Sequence, residues 1–214
     1  MGLSIDEYEK DKITDKGGYV TMREFVLFSR NGTTASHFKA SDLGSVGLDL
    51  VARCISAAFL VSSHIRRDVV LHVFLGGPPS PPAYLRFDGN GLRSLDPHES
   101  GIGQVLQGAL GSLRGGRSPQ GVIASKVSFE YFVRKHCTNK RVFVLEEGGR
   151  DVDETDLEGA TFILGDKIGL PKKEEIYVER HGAVKLSIGS TRYFSSQCIV
   201  ILNYELDRRG FKTV

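Results

Sequence analysis

Apolar residues in this chain come in short blocks bounded by turn signals, and the spacing inside the blocks alternates between strand-like and helical. Arg23–Ser29 has an apolar, aromatic centre and runs into the turn pair Asn31 and Gly32, so it reads as a buried first strand. Val46, Leu50, Val51, Ile55, Ala58 and Phe59 then recur at helical spacing up to about Ser62, with Asp42 or Ser45 placed to cap the helix. Asp68–Leu75 is a second apolar run. Strand, helix and strand in this order form a right-handed crossover onto a parallel sheet.

Prolines 78, 79, 81 and 82 interrupt the pattern. After them, Tyr84–Phe87 and Leu92–Leu95 flank the turn Asp88–Gly91 and predict a peripheral hairpin. Helical spacing returns near Gln104–Gln107 and Val127–Lys135, against the helix-weakening glycines 101, 103, 108, 111, 115 and 116. The last third is clearer. Val142–Leu145, Phe162–Leu164 and Val184–Ile188 are three short apolar strands, each running into a glycine or acidic turn, and a closing helix covers roughly Ser195 to Arg208. No internal repeat or low-complexity tract is visible. Residues 1–21 alternate acids with lysines and read as a flexible, solvated extension, leaving 22–214 as a single α/β domain.

Composition narrows the class. No apolar run approaches the ~18 residues of a membrane span, and the first twenty residues lack a secretory apolar core. Cys54, Cys137 and Cys198 are odd in number and far apart, which predicts a reducing cytoplasm and no structural metal. The six histidines share no spacing, so neither a metal site nor a catalytic triad is indicated. The formal net charge of +2 hides an asymmetry. Arg114, Arg117, Lys126, Arg134, Lys135, Lys140 and Arg141 are opposed only by Glu130, whereas Asp151, Asp153, Glu154, Asp156 and Glu158 crowd the following stretch. Such polarity suits an anionic partner, and a solvated face as well.

In parallel α/β sheets, ligands collect where strand carboxyl ends meet loops, because backbone groups there are free of the ladder. Three such ends lie in the last third: Leu145–Gly149, Leu164–Pro171, and Leu186–Thr191 followed by Phe194–Cys198. Glycine lets a backbone approach a flat ring closely, and unpaired amides can read an adenine edge.

Taken in order, several blocks resemble the SPOUT methyltransferases, specifically the archaeal tRNA pseudouridine-54 N1-methyltransferase family. They are Arg23–Leu27, Leu48–Ile55, Ser63–Val69, Phe162–Asp166, Ser195–Ile199 and Glu205–Arg208. The resemblance covers about Arg23 to Arg209 and implies a SPOUT fold, a mainly parallel sheet whose C-terminal third forms a deep trefoil knot. It also implies S-adenosylmethionine as cofactor, tRNA as substrate and a homodimer. On this likeness the cofactor contacts are Leu145, Gly165, Leu186, Ser187, Ile188, Gly189, Ser190, Thr191 and Cys198, mostly through the backbone.

Methyl transfer to N1 of pseudouridine removes the N1 proton, so the site needs positioning and a proton acceptor or polariser. Asp68 is the candidate for that role, with Arg66 and Arg67 as candidates for holding substrate phosphates; the bland alternative is a surface pair between Asp68 and one of these arginines. Cys198, near the third position of the closing helix if Ser195 caps it, is a second catalytic candidate, because free amides and the helix dipole lower a thiol pKa there. A buried structural thiol is the alternative. Cys54 belongs to the core, and Asp49 with Arg53 forms an i, i+4 helix pair.

Gly101, Gly103 and Gly108 miss the dinucleotide-binding spacing, and no glycine-rich turn follows the first strand as a Rossmann-type methyltransferase requires. Two readings remain beside methylation of pseudouridine: a SPOUT enzyme acting on another base or a ribose 2′-hydroxyl, and a non-catalytic RNA-binding protein. The latter lacks a KH-type loop and the paired aromatic strands of an RRM.

Overall fold

A computed structural model describes residues 22–62 and 64–211. The extension expected over residues 1–21 lies outside them. The strands are β1 (Arg23–Ser29), the short β2 (Leu60–Val61) and β3 (His64–Ile65), β4 (Val69–Leu75), β5 (Ala83–Asp88), β6 (Val122–Ser125), β7 (Val142–Asp151), β8 (Thr161–Leu164) and β9 (Val184–Ser187). The helices are α1 (Asp49–Phe59), α2 (Glu99–Ser112), α3 (Phe129–Phe132), α4 (Lys172–Arg180) and α5 (Ser195–Arg208), with α3 prolonged by a π turn over Val133–Cys137.

Seven strands form one sheet in the order β6-β5-β4-β1-β8-β7-β9. β4, β1, β8, β7 and β9 run parallel, and β5 and β6 are antiparallel to their neighbours. The central strands β4 and β8 and the middle of β1 are nearly continuous apolar runs because both of their faces are covered. Phe25 and Leu27 of β1 point into one core with α1, α2 and α5, while Val26 points into a second core with Phe129, Phe132 and Val178. β1 lies between β4 and β8, and the chain continues to one side of it before residue 126 and to the other side after it. Its boundary with β8 is therefore a switch point, where the carboxyl ends of parallel strands open a crevice.

Local chemistry moved several expected boundaries. Asp42 and Ser45 bond each other and shape a short 3₁₀ turn over Gly44–Val46, so α1 begins only at Asp49, with Leu48 at its N-cap. It ends at Phe59 because Leu60 and Val61 leave to pair with Ile65 and His64. The expected peripheral hairpin is instead part of the sheet: β5 pairs with β4 along its length, and its other partner is β6. Leu92 and Leu95 enter the core without forming a strand. The glycines within α2 did not stop it; at Gly103 a Cβ would lie 2.5 Å from the Ala40 carbonyl oxygen, so a side chain there would push the helix off its neighbour.

β7 is longer than its apolar run. Leu186 of β9 stands opposite both Leu145 and Arg150, so residues 146–149 make an excursion between two stretches that pair with the same strand.

The amino ends of the strands are closed by charge. On the α5 face, Arg23 Nε lies 2.9 Å from Asp68 Oδ2 and its Nη2 lies 2.7 Å from Asp207 Oδ1. On the α3 face, Glu24 accepts from Thr161 Oγ1 at 2.7 Å and meets His136 Nε2 at 3.0 Å and Lys140 Nζ at 3.3 Å. Burial works to raise the Glu24 pKa, but the His136 hydrogen bond and the charges of His136 and Lys140 outweigh it and hold the carboxyl well below its ordinary range.

Candidate active site

The carboxyl ends of β7, β8 and β9 converge with the start of α5 on a cavity of about 370 Å³. Leu145, Leu164, Leu186 and Ile188 supply apolar wall, and Glu146, Glu147 and Asp166 bring carboxylates to it. The loops are tied to one another. Ser195 Oγ, in the first turn of α5, donates to the Gly165 carbonyl at 2.6 Å, and the Phe194 amide donates to Gln197 Oε1 at 2.9 Å. The Asp166 carboxylate accepts from the Arg30 and Ile168 amides at 3.2 and 2.9 Å and faces Arg30 Nε at 3.2 Å. Arg30 Nη2 in turn donates to the Gly169 carbonyl at 3.1 Å, which clamps the loop after β8 onto the end of β1.

Of the residues expected to touch a cofactor, Leu145, Gly165, Leu186, Ile188, Gly189, Thr191 and Cys198 line this one cavity. Ser187 and Ser190 sit in the same turn without lining it; the Ser187 hydroxyl accepts from the Gly189 amide and donates to the Gly189 carbonyl, which shapes the turn. Gly189 has φ +123°, a conformation that a side chain resists, and a Cβ there would meet no atom of the described residues within 4 Å. Arg30 was missed by sequence reasoning, although its place at the carboxyl end of the first strand was the signal available.

Around the mouth, Arg192 pairs with Glu147 at 2.6 Å, and the Arg53 guanidinium sits 6.0 Å from the Phe194 ring centroid. The expected Asp49–Arg53 pair is present at 3.0 Å, and Lys167 joins Asp49 at 3.1 Å, so α1 is linked to the rim.

Two expectations are corrected. The Cys198 thiol is not activated: burial pushes its pKa up to about 11, and the thiol donates to the Tyr193 carbonyl at 3.9 Å. The helix N-cap is Phe194, one residue earlier than expected, and the contact of the thiol with its own backbone amide lowers the pKa by less than burial raises it. Cys54 lies in the core, as its apolar neighbours predict.

The second correction concerns the block before β4. Asp68 is 2% exposed and pairs with Arg23 and not with Arg66 or Arg67 at the surface. Arg66 makes a two-pronged pair with Asp207 at 3.0 and 2.5 Å, and Arg67 donates to the Gly89 carbonyl at 2.9 Å and to the Leu92 carbonyl. All three residues stand at the amino end of β4, whereas the cavity opens at carboxyl ends, roughly 20 Å away along a seven-residue strand. Within one chain they do not share a site with the cavity residues.

The basic segment is also partly used internally. Lys140 faces Glu24, and Arg141 pairs with Asp156 of the acidic stretch at 2.7 Å.

A family model described as "Putative SAM-dependent RNA methyltransferase" matches residues 22–211. The chain belongs to that family. Among its relatives in this RNA methyltransferase family, a protein of Methanococcus maripaludis strain C5 is 34% identical over 196 residues, covering 87% of this chain and 99% of the relative. One of Methanocaldococcus jannaschii is 32% identical over 200 residues, covering 88% and 98%. Both are named tRNA (pseudouridine(54)-N(1))-methyltransferase. The solved structure of Archaeoglobus fulgidus Nep1 bound to S-adenosylhomocysteine superposes with a TM-score of 0.61 at 12% identity, over 87% of this chain and 98% of that one, and shares the methyltransferase's fold.

Proposed function

We propose that this chain transfers a methyl group from S-adenosylmethionine to N1 of pseudouridine 54 in tRNA, with the cofactor held in the cavity at the ends of β7, β8 and β9. The observation that carries the proposal is the convergence of three strand ends and α5 on one cavity, in a chain about one third identical to enzymes of that name along nearly its whole length.

The cavity fits the cofactor. Its volume of about 370 Å³ falls in the ~300–1,000 Å³ range of small-molecule sites. Its leucine and isoleucine walls suit a purine, and its carboxylates suit a ligand that carries a sulfonium and an ammonium. When bound, the cofactor supplies an activated methyl group. Leu145, Gly165, Leu186, Ile188, Gly189, Thr191 and Cys198 would contact it, with Ser187 and Ser190 shaping the turn. The residues present act by positioning. Cys198 is a neutral thiol, Asp166 already accepts from two backbone amides, and Asp68 in this reading holds the fold.

The same reading includes a trefoil knot over the C-terminal third, which the resemblance to SPOUT methyltransferases implies. It also includes a homodimer. Val200 and Tyr204, one turn apart on α5, are more than half exposed, as is Phe194 at its N-cap, and Ile168 at the cavity mouth is 72% exposed. An apolar face of this kind marks an interface. Tyr204→Glu should yield monomers by light scattering, and an unchanged mass would remove this face as the interface. The three free cysteines agree with a reducing cytoplasm, and no helix among the described residues is long and apolar enough to cross a membrane.

Nucleoside mass spectrometry tests the reaction, after incubation with cofactor and tRNA carrying either pseudouridine or uridine at position 54. N1-methylpseudouridine only in the first is expected; methylation of both, or of a ribose, would overturn the assignment.

A further inference from the structure

On the face of the sheet covered by α3 and α4, and at the end opposite the cavity, Glu24, His72 and His136 come together from β1, β4 and the π turn. One ligand atom of each lies within 4.8 Å of the other two. Sequence spacing concealed the group, because its members are separated by about fifty and sixty residues and meet only through strand pairing and the turn. Val26 stands beside His72 in the sheet, which places Glu24 and His72 on the same face.

Three features of the cluster point the same way. His72 is 2% exposed; its Nδ1 is engaged with the Tyr84 hydroxyl at 2.8 Å, and its Nε2 is buried with no hydrogen-bond partner among the described residues. A metal-bound imidazole has this arrangement, one nitrogen oriented by a hydrogen bond and the other directed at the ion. The Glu24 carboxylate is likewise oriented, by Thr161 Oγ1 at 2.7 Å. The third feature is a conflict. His136 Nε2 lies 3.0 Å from the Glu24 carboxylate and 3.0 Å from the Lys140 ammonium. As a donor it satisfies Glu24 and repels Lys140, and as an acceptor it does the reverse, since one ring nitrogen holds either a proton or a lone pair.

We infer that Glu24, His72 and His136 form a binding site for a divalent transition-metal ion of the zinc class, in which the Lys140 ammonium is the resident cation that the metal displaces. Two imidazoles and one carboxylate are a donor set such ions accept, with water in the fourth position. Ligand atoms around a tetrahedral ion stand about 3.3 Å apart, so the cluster must close by roughly 1.5 Å at most. His136 is the residue able to do this, because it sits on a π turn at the edge of the core and is partly exposed, as is Lys140. Lys140 follows Asn139, which has φ +63°, and its side chain is already 20% exposed, so the ammonium can turn to solvent. The bound ion would clamp the π turn to β1 and β4. It takes no part in methyl transfer, since the cavity lies at the other end of the sheet.

The test uses the full chain, stripped with a chelator and titrated with Co²⁺ alone. A visible d–d absorption saturating at one ion per chain is expected, reversed by Zn²⁺ and without the near-ultraviolet band of a thiolate ligand, which separates the site from neighbouring Cys137. Lys140→Met should tighten Co²⁺ binding roughly tenfold or more by removing the competing cation. His136→Ala, checked by melting temperature to be folded, should weaken it by at least about as much. The inference is overturned by any of four results: no band in the native chain, binding only by Lys140→Met, a band that survives His136→Ala, or no tightening in Lys140→Met.

Discussion

At the carboxyl ends of β7, β8 and β9 the chain turns away in loops that enclose a cavity, whereas at the amino ends of β1, β4 and β8 buried charges close the sheet. Arg23 meets Asp68 and Asp207 on one face, and Glu24 meets His136 and Lys140 on the other. The first end presents shape, made by glycine, leucine and backbone, with Ser195 and Arg30 tying the loops in place. The second presents ionic side chains, and those side chains already have partners. Charged blocks therefore point here to what holds the sheet closed, and the end proposed to hold the cofactor is recognised by where strands stop.

The sharpest way to break this contrast is at Gly189. Gly189→Phe adds a ring where a Cβ meets no neighbouring atom, in a backbone conformation that costs about 1–3 kcal/mol to impose on a side chain. The protein should still fold with a modestly lower melting temperature, while the stabilisation by S-adenosylmethionine disappears and turnover falls by roughly 100-fold or more. A normal ligand-induced shift would place the cofactor elsewhere.

At the other end, Asp68→Asn should act on stability and spare chemistry. Breaking a buried pair costs ~3–5 kcal/mol, and because Asp207 still faces Arg23 we expect the lower figure. That corresponds to a melting temperature lower by roughly 6–12 °C. Single-turnover methylation per folded molecule, measured below the transition, should stay within about threefold of the native rate. An undiminished melting temperature with a loss of ~10²–10⁴-fold would reverse the assignment and restore Asp68 to the reaction.

Ser195→Ala removes one hydrogen bond between α5 and the Gly165 carbonyl. About 1 kcal/mol of stability and a few-fold weaker binding of the cofactor are expected, read by calorimetry. The smallest effect belongs to Cys198. With its pKa raised to about 11, only about one thiol in a thousand is ionised at pH 8, so alkylation by iodoacetamide should be slow there and rise steadily as pH climbs toward 11. Cofactor should protect the thiol, and Cys198→Ser should leave the rate nearly unchanged.

Elements made of one contiguous apolar run were legible in the amino-acid sequence: β1, β4, β8 and the bounds of α5 follow, to within a residue, from Arg23–Ser29, Asp68–Leu75, Phe162–Leu164 and Ser195–Arg208. So were the three loops of the cavity, because each is a glycine-bearing end of such a run. What depends on remote pairing was not. β5 reads as half of a local hairpin until β4 and β6 are seen on either side of it, and Asp68 reads as the neighbour of Arg66 and Arg67 until parallel pairing brings Arg23 beside it. Cys198 shows the same limit, since helix position argues for a reactive thiol and only burial reverses the sign.

The placement of β1 between β4 and β8 carries a consequence for biosynthesis. β4 reaches the ribosome's exit soon after β1, but Thr161–Leu164 emerge about 130 residues after the strand they must cover. At translation speeds of ~5–20 residues per second, the nascent chain carries a bare strand edge with an apolar centre, Phe25–Phe28, for several seconds or more. An uncovered edge of this kind recruits other chains. Products truncated before residue 161 should therefore accumulate with chaperones or in aggregates, and ribosome profiling of chaperone-bound nascent chains should show release only after β8 has emerged.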